Sequence, residues 1–288
     1  MGWLSDLLGG LRKPEQSSVS SSAPHPSAAP GRQSTSPPPA HSSAAGPSPS
    51  NPLAGKKLRY MIGVDNPGKG NADEVVEVGY DWEKPVPGCT SIAYCNLFNE
   101  KYSEQSKQER AHYAPYLNTS DTAQDYGEGQ IDPRGKGWKR NLTEQFERRR
   151  KQGFAYIELD NPDAYSVADV VGAVELAESY GLKVIAKNPE LMDGNPLPYV
   201  AHRNVYGIIV EKGAGDAHEM DALRQRAGKP DMPVWFVFFD KRKGAGTGKK
   251  AAEQTAGVAR QYRGMHVSYS PGGEYTHSVA DCLNPPGR

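Results

Sequence analysis

The sequence predicts a (β/α)8 TIM-type barrel, an α/β fold, behind a disordered Ser/Pro/Ala-rich tail. Three observations carry this reading. From Lys57 onward, eight short apolar runs are separated by polar stretches. In the second half those runs alternate with helical segments across short connections, which is the pattern of parallel strands covered by helices. Eight strands in roughly 230 residues also match the strand count and length of one barrel. The competing arrangement is a doubly wound open sheet. Its nucleotide site would need GxGxxG after the first strand, and GVDNPGKGN does not supply it.

Residues 1–13, MGWLSDLLGGLRK, place Trp3, Leu4, Leu7, Leu8 and Leu11 at helical spacing, so a short amphipathic helix is expected. Asp6 interrupts the apolar run, and the basic pair Arg12 and Lys13 follows it. A secretory signal has the opposite order. Asp6 also stands where a myristoylation motif needs Ser or Thr. Residues 14–56 read as a linker. Its central part is mostly Ser, Pro and Ala, with Arg32 the one formal charge between 17 and 50. Such a stretch buries too little apolar surface to offset the entropy of ordering it. The helix is then a docking element for a protein partner, held on a tether. Without a signal the chain is expected to be cytoplasmic or exported by a non-classical route.

Residues 57–288 form the expected barrel. Its strands are YMIGV (60–64), EVVEVGY (74–80), SIAYC (91–95), FAYIEL (154–159), KVIA (183–186), YGIIV (206–210), VWFVFF (234–239) and MHVSY (265–269). Helical stretches follow the fourth, sixth and seventh strands: 167–180, 217–227 and 249–262. The segment 100–145 is polar and irregular and reads as a large loop on one barrel face.

Composition narrows the function. Thirty-four basic and 34 acidic residues cancel, which gives no electrostatic case for nucleic acid or an anionic membrane. No apolar run reaches the length of a spanning helix. The cysteines Cys89, Cys95 and Cys282 form no CxxC pair, and the seven histidines form no HExxH. Neither a disulfide framework nor a metal site is expected, and no cofactor. KGAGTGKK (243–250) imitates a phosphate-binding loop, but Lys243 and Lys250 stand where that motif needs Gly and Ser or Thr.

Barrel enzymes keep their chemistry at the C-terminal ends of the strands. Reading past each apolar run gives Asp65, Asn96, Asp160 with Asn161 and Asp163, Lys187 with Asn188, Glu211 and Asp240. Turn preferences explain many of the Asp and Asn positions. They do not explain Lys187, Glu211 or Glu158. In FAYIELD, alternation puts Glu158 and Asp160 on one face, about 6.6 Å apart along the strand. A buried strand tolerates that only with partners, and Lys187 on the next strand is the natural one. Several carboxylates without a metal-type His cluster suit acid/base work, of which glycoside hydrolysis is the commonest form. Trp82, Tyr94, Trp138, Tyr165, Tyr199 and Tyr269 stand at or beyond strand ends, where aromatic rings stack on sugars. Most of them are expected to be packing residues.

At LDNPDAY (159–165) the chain resembles glycoside hydrolase family 114, the endo-α-1,4-polygalactosaminidase-like barrels. The resemblance rests on Asp160, Asn161, Asp163 and Tyr165, on Tyr94 in IAYCN, on Asp132 and Arg134 in IDPR, on Lys187 and Asn188 in AKN, and on Glu211 in VEK. Pro133 and Val210 depart from the family's pattern. The resemblance spans roughly 58–270 and implies a two-carboxylate hydrolase of an amino-sugar polysaccharide such as an α-1,4-galactosaminan. Asp160 and Glu211 would be its catalytic pair. Glu211 follows the apolar run GIIV, which favours it as the acid and Asp160 as nucleophile or base. Substrate-binding roles then fall to Asp65, Tyr94, Asn96, Asp132, Arg134, Glu158, Asn161, Asp163, Tyr165, Lys187, Asn188, Asp240 and Tyr269. The alternative function is a catalytically degenerate carbohydrate-binding barrel, tethered by its tail to a larger assembly.

Overall fold

Every second residue of a strand points to the same side, and in this chain both sides are apolar. That pattern asks for a sheet with something packed on each face. The computed structural model describes residues 51–61, 68–79, 82–97, 136–191, 194–211, 217–240, 247–270 and 281–282. The strands are β1 (Lys57–Met61), β2 (Glu74–Val78), β3 (Thr90–Asn96), β4 (Tyr156–Asp160), β5 (Lys183–Lys187), β6 (Val205–Glu211), β7 (Val234–Phe239) and β8 (Met265–Ser270). They lie side by side in sequence order and all run parallel. Parallel neighbours in sequence order, with helices between them, make the (β/α)8 barrel. Ser268 Oγ on β8 donates to the Leu58 carbonyl on β1 at 3.1 Å, which ties the last parallel strand to the first. A short β9 (Asp281–Cys282) pairs antiparallel with β8 and was not expected.

Two separate cores follow from the two faces. Inside the barrel Leu58, Val75, Ile92, Ile185, Ile209 and Trp235 form one cluster, joined by Tyr60, Tyr156, Val237 and Phe239. The outward residues of the same strands, among them Val76, Ala93, Ile157, Ile208 and Phe236, pack against the helices in the other. Gly207 shows how tightly the inside is filled. A Cβ there would lie 2.6 Å from the Trp235 ring, so only glycine admits the indole. The expected linker gives up its last residues to this core. Leu53 is buried in the inner cluster. Asn51 Nδ2 donates to the Tyr206 carbonyl, and Trp235 Nε1 donates to that of Lys56, each at 2.8 Å.

The helices are α1 (Lys136–Lys151), α2 (Val167–Ser179), α3 (Leu197–Ala201), α4 (Ala217–Arg226) and α5 (Thr247–Ala259). Helix α2 starts on a reciprocal cap, in which Ser166 Oγ accepts the Asp169 N–H at 3.3 Å and donates to its carboxylate at 2.6 Å. Helix α1 corrects the expectation of a loop through residue 145. Leu142 and Phe146 recur at helical spacing and are fully buried, and four basic residues close the last turn against the helix dipole. β1 lies three residues before its expected place, because Leu58 and Tyr60 already face inward while Arg59 pairs with Glu74 outside at 3.8 Å. The other parallel strands start and end within two residues of expectation. The amphipathic helix, most of the linker and the rest of segment 100–145 lie outside the described residues. No described helix is long and apolar enough to cross a membrane.

Candidate active site

Parity along the strands decides which side chains enter the barrel. On β4 the inward positions are Tyr156, Glu158 and Asp160. Register places Tyr94 beside Glu158 and Asn96 beside Asp160. The same parity brings in Tyr60 from β1, Glu77 from β2, Lys187 from β5 and Glu211 from β6. The inward side chains are therefore mostly apolar low in the barrel, His266 apart, and ionisable toward the strand ends.

Lys187 is the centre of the upper layer. Its ammonium lies 2.9 Å from Glu158 Oε1, 3.4 Å from Asp160 Oδ2 and 3.2 Å from Glu211 Oε1, and it donates to Tyr60 Oη at 3.1 Å. Burial alone would discharge a lysine there, but Asp160, Glu158 and Glu211 together outweigh it and raise its pKa well above the usual value. Each rim carboxylate also has a tyrosine. Tyr60 donates to Glu211 Oε1 at 2.5 Å, and Tyr94 donates to Asp160 Oδ2 at 2.9 Å. Burial first, then the charge of Glu211, keeps Tyr60 a phenol.

The two asparagines after β4 and β5 complete the setting. Asn161 and Asn188 both have positive φ, at 58° and 38°, a region that asparagine tolerates better than most residues. The turn at Asn161 aims its backbone N–H at Asp160 Oδ1, 2.8 Å away, while its side chain donates to Asn96 Oδ1 at 2.9 Å. Asn188 Oδ1 accepts the Glu211 N–H at 2.8 Å. Asn96 Nδ2 in turn donates to Tyr94 Oη at 3.0 Å. Helix α1 holds this corner from behind. Gln145 exchanges hydrogen bonds with the Asn96 backbone, and Arg149 donates to the Tyr94 carbonyl at 2.8 Å.

Of the residues expected from the sequence, the structure thus gathers Tyr94, Asn96, Glu158, Asp160, Asn161, Lys187, Asn188 and Glu211. Asp163 is exposed, in the 3-10 turn Pro162–Ala164 beyond β4. Tyr165 is a correction: it is buried, stacks near Trp138 and donates to the Leu97 carbonyl at 3.1 Å, so its ring offers no face to a sugar. Asp240 and Tyr269 are corrected too. Tyr269 belongs to the outer core and donates to Asp240 Oδ2 at 2.6 Å, which pushes its pKa up to about 12. The other Asp240 oxygen accepts the Gly248 N–H at the start of α5. Trp138 and Tyr199 are also core residues. Asp65, Asp132 and Arg134 lie outside the described residues. Sequence reasoning missed Tyr60 and Glu77. Glu77 could have been found, since a glutamate amid valines in EVVEV repeats the signal that exposed Glu158.

Among the described residues no group of His, Cys, Asp and Glu is arranged to hold a metal ion. The buried ammonium stands at the centre of the carboxylates instead. Asp160 and Glu211 are the two acids with some access, at 15% and 7% side-chain exposure, above a Glu158 that has none. Two adjacent accessible carboxylates at the C-terminal mouth of a barrel can divide proton donation and nucleophilic attack between them.

No protein-family model and no curated protein matches the chain. Solved structures do. Ega3 of Aspergillus fumigatus, in a crystal structure with galactosamine, superposes at a TM-score of 0.59 with 14% identity, over 81% of this chain and 97% of that one. A variant of the glycoside hydrolase domain of PelA from Pseudomonas aeruginosa superposes at 0.55 with 13% identity, over 78% and 97%. The unsubstituted PelA domain superposes at 0.51. The resemblance to glycoside hydrolase family 114 read from LDNPDAY and its companion motifs thus has a counterpart in the architecture: the chain shares the barrel fold of these glycoside hydrolases nearly over their whole length.

Proposed function

We propose that the chain is a glycoside hydrolase that cleaves an amino-sugar polysaccharide with Asp160 and Glu211, retaining the anomeric configuration. The observation that carries this reading is the Lys187 bridge at the mouth of the barrel. An ammonium 3.4 Å from Asp160 Oδ2 and 3.2 Å from Glu211 Oε1 keeps those oxygens within about 6.6 Å of each other. That limit covers the spacing of retaining enzymes, about 5–5.5 Å, and reaches only the short edge of the roughly 6.5–9.5 Å that inverting ones need to admit a water, so the bridge favours retention.

Donor count supports the division of roles. Asp160 receives Tyr94 Oη, the Asn161 N–H and Lys187 on its two oxygens, which orient it for attack. Tyr60 and Lys187 both engage Oε1 of Glu211, which leaves Oε2 to carry a proton. Glu211 protonates the leaving oxygen as the glycosidic bond breaks, and Asp160 bonds to the anomeric carbon. Glu211 then takes a proton from water, whose oxygen displaces Asp160 and restores both groups. Three carboxyl groups around one ammonium give the mouth an acidic character suited to a protonated amino sugar. The galactosamine bound in the Aspergillus neighbour supports the same substrate class.

The test is hydrolysis of a polysaccharide panel that includes α-1,4-linked galactosamine polymers, with products read by mass spectrometry and anomers by proton NMR. Asp160→Asn and Glu211→Gln should each lower kcat by about 10³-fold or more with the fold retained. First-formed product of inverted configuration would reject the retaining mechanism. Binding of a polymer by wild type with no cleavage would make the barrel a recognition module.

A further inference from the structure

Beneath the catalytic layer lies an acid that the mechanism above does not use. Glu77 on β2 is fully buried, and so is Glu158 across the barrel interior. Both enter the barrel interior, from β2 and β4, and each carboxyl lies within electrostatic reach of the other. Apart from the Lys187 ammonium, no donor among the described residues reaches any of their four carboxylate oxygens. Charging both of these neighbouring carboxylates in a dry interior is costly, because the one ammonium near them, on Glu158, is already shared with Asp160 and Glu211.

We infer that Glu77 and Glu158 share one proton, and that Glu77 acts through Glu158 as a positioning residue that fixes Lys187 between Asp160 and Glu211. The proton gives the pair the donor that its surroundings lack. Glu77 as the acid donates to Glu158. Glu158 stays the anion that holds Lys187 at 2.9 Å, and Lys187 sets the spacing of the two reactive acids. Glu77 touches no substrate in this scheme. The ionisable groups around the pair among the described residues are Tyr60 from β1, Tyr94 from β3, Asp160 from β4, Lys187 from β5, Glu211 from β6 and Tyr199 from α3. Burial, then the neighbouring carboxylate, raises the pKa of Glu77, and burial, against the pull of Lys187, raises that of Glu158.

This assignment deepens the glycosidase reading, and its kinetic arm rests on it, while two physical arms do not. A carboxyl held protonated in the fold costs stability once the unfolded chain releases its proton, above about pH 4.3. The loss grows as pH rises toward the folded value. Glu77→Gln keeps a donor toward Glu158 and removes the titration. Its unfolding midpoint should exceed that of wild type by about 3 °C or more at pH 8, with the gap closing toward pH 4. The infrared difference spectrum at neutral pH should show one protonated-carboxyl C=O stretch lost in Glu77→Gln. In kinetics, Glu77→Gln should stay within about threefold of wild type, while Glu77→Leu loses tenfold or more in kcat with little change in KM. Parallel midpoints of wild type and Glu77→Gln from pH 4 to 8, or no carboxyl band, would overturn the shared proton. Equal kcat for Gln and Leu would overturn the positioning role. If Glu77→Leu does not fold, a kcat of Glu77→Gln reduced tenfold or more overturns that role. If wild type cleaves nothing, the glycosidase reading fails, and the midpoints and the infrared band still decide the proton.

Discussion

Two lysines, Lys187 fully buried and Lys229 half-buried, sit at opposite ends of this barrel and show what a cation withdrawn from water is used for. At the lower end Lys229, after α4, donates to the carbonyls of Val200, His202 and Val205 at 3.0, 2.5 and 2.8 Å. Its partners are fixed backbone dipoles, and burial pulls its pKa down to about 8. At the upper end Lys187 faces three carboxylates and a phenol, and its pKa goes up. Arg224 combines the two patterns: its guanidinium donates to the Met232 and Arg263 carbonyls just ahead of β7 and β8, and it pairs with Asp221 on its own helix at 2.7 Å. Cations below tie loops to strand starts. The cation above is paired only with side chains that can themselves titrate. A buried charge met by backbone holds the fold, and one met by ionisable groups holds a reactive arrangement.

The largest test of this contrast is Lys187→Met. Removing one partner of a buried charge network leaves the carboxylates uncompensated, at about 3–5 kcal/mol. Turnover should fall by about 10³-fold or more, because Asp160 and Glu211 lose their common anchor. Denaturant unfolding and kinetics on the same preparation check both. Lowering the pH should restore part of the lost stability, since protonated acids no longer repel. A variant equally stable at all pH values would mean the carboxylates are not buried together. Lys229→Met should cost less, about 1–3 kcal/mol for carbonyls left without a donor, and leave kcat and KM unchanged. A changed kcat there would erase the distinction between the two ends.

Legibility in the sequence followed the same division. Glu158 and Lys187 could be paired in advance, because alternation put a carboxylate inside a strand and the next strand ended in a lysine. Asp160 and Glu211 follow by parity, each two residues beyond an inward neighbour. Asp240, taken one residue past a strand, and Tyr269, taken as an aromatic at a strand end, were both chosen without regard to parity. Phe239 and Ser270 face inward, so the residues beside them face the helices. Tyr60 escaped because β1 was placed three residues late, which turned its last inward residue into its first. Helix α1 escaped because its charged residues hid the Trp138, Leu142 and Phe146 stripe. With it went the contacts of Gln145 and Arg149 that brace Asn96 and Tyr94. The (β/α)8 order itself was legible, because each strand and helix carries its own apolar period.

The inner core offers a sharper comparison within one wall. Gly207 and Glu211 both face inward on β6, one below and one above Ile209. Gly207→Ala should destabilise by about 1–3 kcal/mol through overpacking on Trp235, whose ring would lie 2.6 Å from the new methyl. The catalytic layer is two residue pairs higher, so KM and kcat of the folded fraction should not change. A kinetic defect without a stability loss would show that the lower core transmits strain upward.

The smallest effect expected is the most diagnostic of where the reactive layer stops. Tyr199 on α3 is fully buried among apolar residues, and its hydroxyl has no hydrogen-bond partner among the described residues. Burial, then the charges of Glu158 and Asp160, pushes its pKa far above the ordinary tyrosine value, so it stays neutral throughout the working range. A buried hydroxyl without a partner carries a desolvation cost that no bond returns. Tyr199→Phe should therefore raise stability by up to about 1 kcal/mol and leave the pH–rate profile in place. A shift of that profile would mean that the hydroxyl bonds an acid of the site during turnover. Tyr199 would then join Tyr60 and Tyr94 as a third phenol of the upper layer, reaching it from the helix shell.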